Sequence, residues 1–291
     1  MATTSLSVHY TKKHFASWLV WLGLVPFLIF GLAFEFLPLL TIIQSSFTKN
    51  GVLTFQFYQQ AMDPLFLTSF WNSIQLSATT AFLGVIFGTL VAYAIITTKN
   101  KFFRDLLTAL SDVTTNFGGA PLAFAFIVIL GSTGIITVIL KQIGIHLYPN
   151  FRIYSITGLT IAYLYFQLPL MILIIIPSLH GLKREWQEAA VNLGASSFQY
   201  WVRVALPILF PALMSGFLLL FANAFGAYAT AFTLTGSDIN LITIRIGALI
   251  SGEVQLAAEL GDALSIISLL IMTTCVIGYM VLANRSRKVY R

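Results

Sequence analysis

Long apolar runs separated by short polar stretches dominate this sequence. Six of the runs extend for about 20 residues or more with almost no charge, which is the length that a helix needs to cross a hydrocarbon layer about 30 Å thick. The predicted fold class is therefore all-α, a polytopic membrane protein with six transmembrane helices. The predicted spans are residues 16–42, 70–97, 104–131, 155–179, 206–233 and 261–284.

Glycines and prolines interrupt two of these runs. Gly118, Gly119 and Pro121 fall within the third predicted span, and Pro169 lies in the middle of the fourth. Kinks are tolerated in membranes where neighbouring helices or water satisfy the freed backbone groups, and broken helices often line transport paths. Simple packing irregularity is the alternative, and the sequence does not decide between the two.

Residues 182–206, between the fourth and fifth predicted spans, show a different pattern. Apolar or small residues recur at i, i+4, i+7, i+8 and i+11, which is one face of a helix, and polar residues take the other side. The first set is Leu182, Trp186, Ala189, Ala190 and Leu193. The second set is Lys183, Arg184, Gln187, Glu188 and Asn192. The spacing predicts a short amphipathic helix.

A turn and a second short helix are predicted directly after it. Gly194 stands where a helix C-terminus favours a left-handed backbone, and Ser196 and Gln199 have the spacing of a capping box. Pro207 follows near the start of the fifth predicted span. Such an element is typical of a docking surface, and an amphipathic linker on the lipid headgroups is the alternative. Charges of both signs beside two small alanines favour insertion into a protein groove.

Composition agrees with a chain dissolved mostly in lipid. Of the 291 residues, 58% are hydrophobic and only 9% are charged, whereas an ordinary soluble domain has about 25% charged residues. The net charge of +6 is spread over the ends of the apolar runs, which argues against nucleic-acid binding. Because Cys275 is the only cysteine, the chain can form neither an intramolecular disulfide nor a thiolate metal cluster.

The basic residues predict an orientation, because Lys and Arg are enriched in the cytoplasmic segments of membrane proteins. If both termini are cytoplasmic, twelve bases lie inside and four lie outside, namely Lys49, Lys141, Arg152 and Arg245. The prediction is a cytoplasmic N-terminus at 1–15, a transmembrane domain at 16–284 and a basic cytoplasmic tail at 285–291. The first apolar run is too long for a signal peptide, so it is predicted to stay as a span. Loop 182–206 then faces the cytoplasm.

In this loop, Glu188-Ala189-Ala190 is followed by three residues, Gly194, nine residues, Val204, one residue and Leu206-Pro207. This resembles the EAA loop of binding-protein-dependent ABC importer permeases, whose pattern differs only in having Ile where Val204 stands. The six predicted spans, with the loop between the fourth and fifth, also match. The resemblance implies a type I ABC importer permease fold over most of the chain.

Two further stretches resemble the spermidine/putrescine-type branch of that family. They are Gly118-Gly119-Ala120-Pro121-Leu122-Ala123 and Ala227-Tyr228-Ala229-Thr230. The branch also includes relatives that take up phosphonates, iron, sulfate and thiamine. The resemblance therefore implies an importer of a small polar solute without naming it.

The resemblance implies a complex of two permease subunits, two cytoplasmic ATP-binding subunits and an extracytoplasmic substrate-binding protein. In this branch the second permease is usually a paralogue. The chain has no G-x-x-x-x-G-K-[ST] phosphate loop, so we expect no cofactor in this chain, with ATP and Mg²⁺ on the partner ATPase, and a transporter subunit that is not itself an enzyme. The implied ATPase-coupling residues are Trp186, Glu188, Ala189, Ala190, Leu193, Gly194 and Pro207.

Polar groups inside the apolar spans are the candidates for the translocation path, because such groups are costly in lipid and usually face the bundle interior. Ordinary hydrogen bonds between helices are the alternative. Two acids, Asp112 and Glu35 near the predicted outer end of the first span, favour a cationic substrate such as a polyamine. The path candidates are Asp112, Thr114, Thr115, Asn116, Gln167, Asn223, Tyr228, Thr230 and Thr233.

Two other function classes remain open. A secondary transporter or channel working without ATP would predict buried charge pairs or a proton relay, but the interiors of the predicted spans hold few acids, no base and no histidine. A membrane enzyme would need a Ser/His/Asp or metal-ligand constellation, and no spacing supports one. Co-purification of an ATPase would separate the importer from both.

Overall fold

The structure is a computed structural model that describes residues 17–102, 105, 109, 118–252 and 257–289, with side chains described between Leu24 and Asn284 in those ranges. Six helices in this part of the chain are long and apolar enough to cross a membrane. We number them as the first to sixth spans: Leu24–Ser46, Pro64–Thr97, Gly119–Gln142, Ile156–His180, Ser197–Phe225 and Ala258–Asn284. The predicted fold class, with six transmembrane helices, is confirmed.

Several spans are composite, and shorter elements join them. The helices are Ser17–Gly31, Leu37–Ser46, Gln56–Gln60, Pro64–Thr97, Gly119–Leu130, Ile135–Gln142, Ile156–His180, Arg184–Asn192, Ser197–Tyr200, Leu206–Phe225, Tyr228–Thr235, Ile242–Ser251 and Ala258–Val289. The π-helical turns are Leu32–Phe36 and Trp201–Ala205. The strands Thr48–Lys49 and Val52–Leu53 form an antiparallel hairpin. Asn50 and Gly51 both have positive φ in its turn, as a two-residue hairpin favours.

Both π turns end two residues before a proline. The Leu37 N–H donates to the Leu32 carbonyl ahead of Pro38, and the Leu206 N–H donates to the Trp201 carbonyl ahead of Pro207. Proline has no N–H, and its ring collides with the carbonyl four residues earlier in a regular helix. A widened turn before each proline relieves this conflict, so the helix continues.

The second, fourth and fifth spans form the centre of the bundle, where they meet around Met171. The Met171 side chain is fully buried. A Cβ atom on Gly88 would lie 2.6 Å from the Met171 Cβ, and one on Gly216 would lie 2.6 Å from its sulfur. Without a large hydrophobic driving force between helices in lipid, small residues that permit such close approach stabilise the packing.

The other spans pack around this centre. The sixth span packs on the fifth, and Gly119–Leu130 of the third packs on the short helix Tyr228–Thr235. The first span contacts the sixth through Leu37–Ser46, where the Ser45 hydroxyl donates to the Asp262 carboxylate. The end of the bundle that carries Arg184–Asn192 is called the lower end below, and the end that carries Ser46 the upper end.

The predicted span boundaries need correction in four places. The first span continues to Ser46, and the second begins at Pro64 because Asp63 caps it, with Oδ1 accepting from the Leu65 N–H at 2.9 Å. In the third span, a helix begins at Gly119, with φ +68°, and ends at Leu130, beside the predicted end at 131, and a separate helix Ile135–Gln142 follows. The fifth begins at Ser197 and stops at Phe225, so the prediction of 206–233 was wrong at both ends.

Candidate functional site

The loop helix Arg184–Asn192 ends in a left-handed glycine turn. Gly194 has φ +79°. Its N–H donates to the Val191 carbonyl at 2.9 Å, and the Ala195 N–H donates to the Ala190 carbonyl, also at 2.9 Å. These two bonds form a Schellman motif, which satisfies carbonyls that the last helical turn leaves free. The predicted helix and glycine turn are both present.

A capping box then starts the next helix. The Ser196 Oγ accepts from the Gln199 N–H at 3.3 Å, and the Gln199 Oε1 accepts from the Ser196 N–H at 2.8 Å. This agrees with the prediction, but the helix is not a separate short element, because it continues through the π turn into the fifth span. Residues 197–206 of the loop and the fifth span therefore form one continuous helix, which the Gly194 turn joins to Arg184–Asn192.

The apolar side of the loop helix is not covered by the described part of the chain. None of the residues of Arg184–Asn192 is buried. Trp186 and Ala190 are half-buried, Ala189 is exposed, and Leu193 is 88% exposed. An uncovered apolar face on a helix whose other side carries charges of both signs is typical of an interaction surface.

The polar side of the same helix is internally paired. The Arg184 Nε donates to the Glu188 Oε1 at 3.0 Å, and both side chains are well exposed. This pair borders a shallow groove of about 360 Å³, which is lined by Arg184, Gln187, Glu188, Val191 and Asn192. A surface pair at i and i+4 stabilises a helix only slightly, so the Glu188 carboxylate can change partner at little cost.

The second feature of the site is a break after the fifth span. The helix ends at Phe225, Gly226 and Ala227 are not helical, and a new helix begins at Tyr228. The hydroxyl of Tyr163, a fully buried residue of the fourth span, donates to the Ala227 carbonyl at 2.8 Å. The Thr230 hydroxyl donates to the Gly119 carbonyl at 3.3 Å. Non-helical backbone at membrane depth requires such partners, so the break is a built feature.

A cavity of about 450 Å³ opens at this break. Two helices begin on its wall, Gly119–Leu130 and Tyr228–Thr235, and the first N–H groups of a helix have no partner within that helix. The cavity brings together three predicted path residues, Asn223, Tyr228 and Thr230, with aromatic and backbone groups between them. The complete lining is Gly118, Gly119, Phe166, Asn223, Gly226, Ala227, Tyr228, Ala229 and Thr230.

The remaining predicted path residues do not line this cavity. Gln167 is fully buried between the second and fourth spans, where its Nε2 donates to the Thr80 Oγ1 at 3.0 Å. Its Oε1 has no hydrogen-bond partner among the described residues. Thr233 is half-buried on Tyr228–Thr235, outside the lining. Asp112, Thr114, Thr115 and Asn116 lie outside the described residues.

Sequence reasoning missed the short helix Ile242–Ser251, which connects the cavity to the upper end. A Cβ atom on Gly247 would lie 2.8 Å from the ring of Tyr228, so this helix touches the cavity wall. Its N-terminus is fixed by Asn240, whose Oδ1 accepts from the Ser69 Oγ at 2.7 Å and from the Arg245 Nε at 2.6 Å. The only sequence signal was an apolar run too short to span a membrane.

Metal chemistry has no support in the described part of the chain. No group of three or more His, Cys, Asp or Glu residues is placed there to hold a metal ion. The cavity at the break is lined by neutral polar and apolar groups, and the loop helix carries an exposed ion pair beside an apolar face. The cavity is suited to binding a solute, and the loop helix is suited to binding a protein partner.

The sequence is similar to those of known transport proteins. Residues 84–289 match the profile of the family described as binding-protein-dependent transport system inner membrane component. The spermidine/putrescine transport system permease protein of Haemophilus influenzae is 29% identical over 90% of this chain and 89% of that protein. The probable sulfate transport system permease protein of Prototheca wickerhamii is 30% identical over 74% of this chain and 83% of that protein. These relatives are transporter permease subunits, and they confirm the predicted branch.

The fold is also similar to that of solved importers. A chain of a bacterial ABC transporter involved in the import of the acidic polysaccharide alginate superposes with a TM-score of 0.70 at 17% identity, covering 92% of this chain and 96% of that one. At this identity the likeness concerns the fold. The family profile covers more than half of the sequence and includes the loop helix and the broken span. The chain therefore belongs to the family of inner-membrane permease components of binding-protein-dependent ABC importers.

Proposed function

We propose that this subunit couples ATP hydrolysis on a separate ATPase to inward movement of a small polar solute, with loop 182–206 as the coupling element. The observation that carries the proposal is the uncovered face of Arg184–Asn192, held by a glycine turn on the lower end of the fifth span. A force on this short helix reaches the break at Gly226–Ala227 through one continuous helix. Loop and solute cavity are thus mechanically connected.

Each coupling residue has a physical role in this proposal. Trp186 and Leu193 supply the apolar area that a groove on the ATPase would bury, and Ala189 and Ala190 permit close approach of the two backbones. Glu188 exchanges its exposed partner Arg184 for a polar group of the ATPase. Gly194 sets the angle between the loop helix and the fifth span, and Pro207 with its π turn keeps that span continuous.

The proposed assembly contains two ATP-binding subunits that hold ATP and Mg²⁺, an extracytoplasmic substrate-binding protein and a second permease subunit, which we propose is a paralogue. Both termini and the lower end of the bundle face the cytoplasm in this proposal. The support is the count of basic residues, since the cytoplasmic segments would hold twelve of sixteen. Movement of the solute would follow rocking of the spans between inward-open and outward-open states.

The proposed path passes the cavity lined by Asn223, Tyr228 and Thr230, and a polyamine is the first candidate substrate. Similarity to the Haemophilus influenzae permease over nearly the whole chain supports it. Sulfate is the second candidate. It is favoured by the Prototheca wickerhamii relative and by a cavity wall that has no carboxylate in its described lining but includes the N–H ends of two helices, which suit an anion.

The test is to purify the complex through a tag on this chain, identify the accompanying subunits, and reconstitute it in liposomes with ATP inside. Labelled spermidine, putrescine and sulfate are then added outside with the binding protein. ATP-dependent uptake of a polyamine, absent with ADP, supports the first candidate, and uptake of sulfate alone replaces it by the second. A complex without an ATPase that still transports would overturn the coupling proposal.

A further inference from the structure

Gly247 lies inside the helix Ile242–Ser251, at a position that the helix itself does not require to be glycine. Its backbone is helical, with φ outside the left-handed region, and glycine is less favourable than alanine in the interior of a helix. The surroundings supply the reason. The three atoms nearest to a Cβ on Gly247 all belong to Tyr228, with Cε2 at 2.8 Å and both Cζ and the hydroxyl oxygen at 3.0 Å. A side chain at position 247 would therefore collide with the outer end of this ring.

The helix that carries Gly247 is held in place by the second span. The Ile242 N–H donates to the hydroxyl of Ser73, a buried residue of the second span, at 2.9 Å. Further along the helix, Ile244 and Ala248 are also buried. Moving the helix away from Tyr228 would break this hydrogen bond and open these buried contacts. The ring of Tyr228 therefore takes up the displacement.

Tyr228 has free space on the side of the cavity. On another side its ring stacks on Phe232, with the ring centroids 5.3 Å apart and an angle of 19° between the planes. Tyr228 is 38% exposed and lines the cavity of about 450 Å³ at the break. A ring pushed from the side of Gly247 meets Phe232 in one direction and the open cavity in the other. It would therefore move into the cavity and narrow it.

We propose that Gly247 determines the width of the solute that the cavity accepts, because the missing side chain allows the ring of Tyr228 to pack against the helix Ile242–Ser251. Gly247 does not line the cavity, so it is a positioning residue that acts through Tyr228. The inference rests on the proposed function, in which the solute passes this cavity, and it adds the contact that limits the size of the solute. A larger residue at position 247 restricts the path to narrower solutes.

The width of the cavity is measured first, without transport. In a Cys275→Ala background, Asn223→Cys places a thiol on the cavity wall, where Asn223 is exposed. Its reaction rates with methyl methanethiosulfonate and with the bulkier benzyl methanethiosulfonate are compared in the purified complex. Adding Gly247→Ala should slow the benzyl reagent by about tenfold, because the overpacked ring occupies the space that this reagent needs, and the methyl reagent by less than about twofold.

Gly261→Ala is the matched control. The three atoms nearest to a Cβ on Gly261 belong to Ile250 and Leu249, with Cγ1 of Ile250 at 3.0 Å. This variant therefore adds the same methyl group beside the same short helix, but against different residues from Tyr228. It should leave both labelling rates unchanged.

Tyr228→Leu tests whether Gly247 acts through the ring. Leucine lacks the three ring atoms that a Cβ at position 247 meets, so Gly247→Ala should change neither rate when Tyr228→Leu is already present. A double-mutant cycle on the benzyl rate measures this coupling. If Gly247→Ala alone fails to assemble into the complex, the double variant should restore assembly, and failure of both to assemble overturns the inference.

Uptake by the reconstituted complex connects the width of the cavity to the solute. For the solute that the wild type imports, Gly247→Ala should lower kcat/KM by about tenfold, through the same overpacking of the ring. The double variant with Tyr228→Leu should have the same kcat/KM as Tyr228→Leu alone. Gly261→Ala should import at the wild-type rate.

The labelling and the uptake separate failure of this inference from failure of the proposed function. A benzyl rate that Gly247→Ala leaves unchanged, that Gly261→Ala lowers equally, or that Tyr228→Leu does not make insensitive to position 247 overturns the inference, whatever the uptake. The expected labelling with wild-type uptake in Gly247→Ala would mean that the cavity lies off the path, so the proposed path and the size limit would both fail. A wild type that imports no solute with ATP refutes the proposed function, while the labelling still decides whether Gly247 positions Tyr228.

Discussion

The hydroxyl of Tyr163 lies 2.8 Å from the carbonyl oxygen of Ala227 and donates a hydrogen bond to it. Tyr163 belongs to the fourth span and Ala227 to the break after the fifth, so this bond connects the two spans at the wall of the cavity that opens at the break. The carbonyl is freed because Ala227 leaves the helical conformation, with ψ +73°. The fourth span thus supplies a hydrogen-bond donor to a carbonyl that the break has left without a helical partner.

Tyr163→Phe should destabilise the break without changing the packing volume. The Ala227 carbonyl would lose its donor in a buried place, at a cost of about 1 kcal/mol for a hydrogen bond inside a membrane protein. We expect a lower melting temperature of the purified complex and slower uptake. Tyr154→Phe, an exposed tyrosine before the fourth span, is the control. Equal melting temperatures for the two variants would contradict a structural role for the Tyr163 hydroxyl.

Gly194→Val should uncouple ATP hydrolysis from uptake while the chain stays in the membrane. Gly194 has φ +79° and no neighbour within 4 Å of a Cβ, so the cost is backbone strain alone, about 1–2 kcal/mol for a residue with a side chain. A strain of this size reduces the population with the correct loop angle by a factor of about 5–30. The ratio of solute imported to ATP hydrolysed measures it.

Gly194→Asn is the matched variant, because asparagine adopts the left-handed conformation far more readily than valine. It should retain most of the coupling, although it is larger than glycine. If both variants lose coupling equally, the bulk of the side chain matters instead of the backbone angle, and Gly194 would then be a contact residue of the docked surface.

The loop was predictable because its signals are local. A periodic apolar face, a glycine and a capping box each act within a few residues, and the structure contains the helix, the turn and the cap where Trp186, Gly194 and Ser196 predict them. The count of spans was predictable for a similar reason, since the thickness of lipid sets the length of an apolar run.

The cavity was not predictable to the same extent, because its partners are distant in sequence. Asn223, Tyr228 and Thr230 were identified from polarity alone, but the same reasoning also selected Gln167, which the structure places in a contact with Thr80. Nothing local distinguishes a polar residue that faces a cavity from one that joins two helices. Tyr163 was missed because its hydroxyl acts on a carbonyl 64 residues away.

Asn223→Leu and Gln167→Leu should therefore differ in their effect on transport. Asn223 is exposed on the cavity wall, so its loss should raise the KM for solute by about fivefold to tenfold, as for removal of one hydrogen bond of about 1–1.5 kcal/mol. Gln167→Leu should leave the KM unchanged. Thr80 would not be orphaned, because its hydroxyl also donates to the Leu76 carbonyl at 2.9 Å.

The comparison is made on the reconstituted complex, with uptake measured over a range of solute concentrations. A raised KM in Gln167→Leu at wild-type melting temperature would place Gln167 on the path after all, in another state of the transporter. An unchanged KM in Asn223→Leu would remove this cavity from the path.

Two glycines that contact the same methionine should tolerate alanine unequally. A Cβ on Gly88 would lie 2.6 Å from the Cβ of Met171, next to the backbone of the fourth span, whereas a Cβ on Gly216 would lie 2.6 Å from the sulfur, which is part of a flexible chain end. A sulfur can move by rotation about the side-chain torsions, but a Cβ moves only with its helix. We expect Gly88→Ala to destabilise the bundle by about 1–3 kcal/mol through overpacking, and Gly216→Ala by less.

Thermal unfolding of the detergent-solubilised complex checks this order, and second-site changes check its cause. Met171→Ala creates space at the sulfur, so it should remove the remaining effect of Gly216→Ala. It cannot rescue Gly88→Ala to the same extent, because alanine retains the Cβ that causes the collision. Rescue of both variants to the same melting temperature would mean that the spans separate freely at this crossing. The close contact of the second, fourth and fifth spans would then not determine the packing at the centre of the bundle.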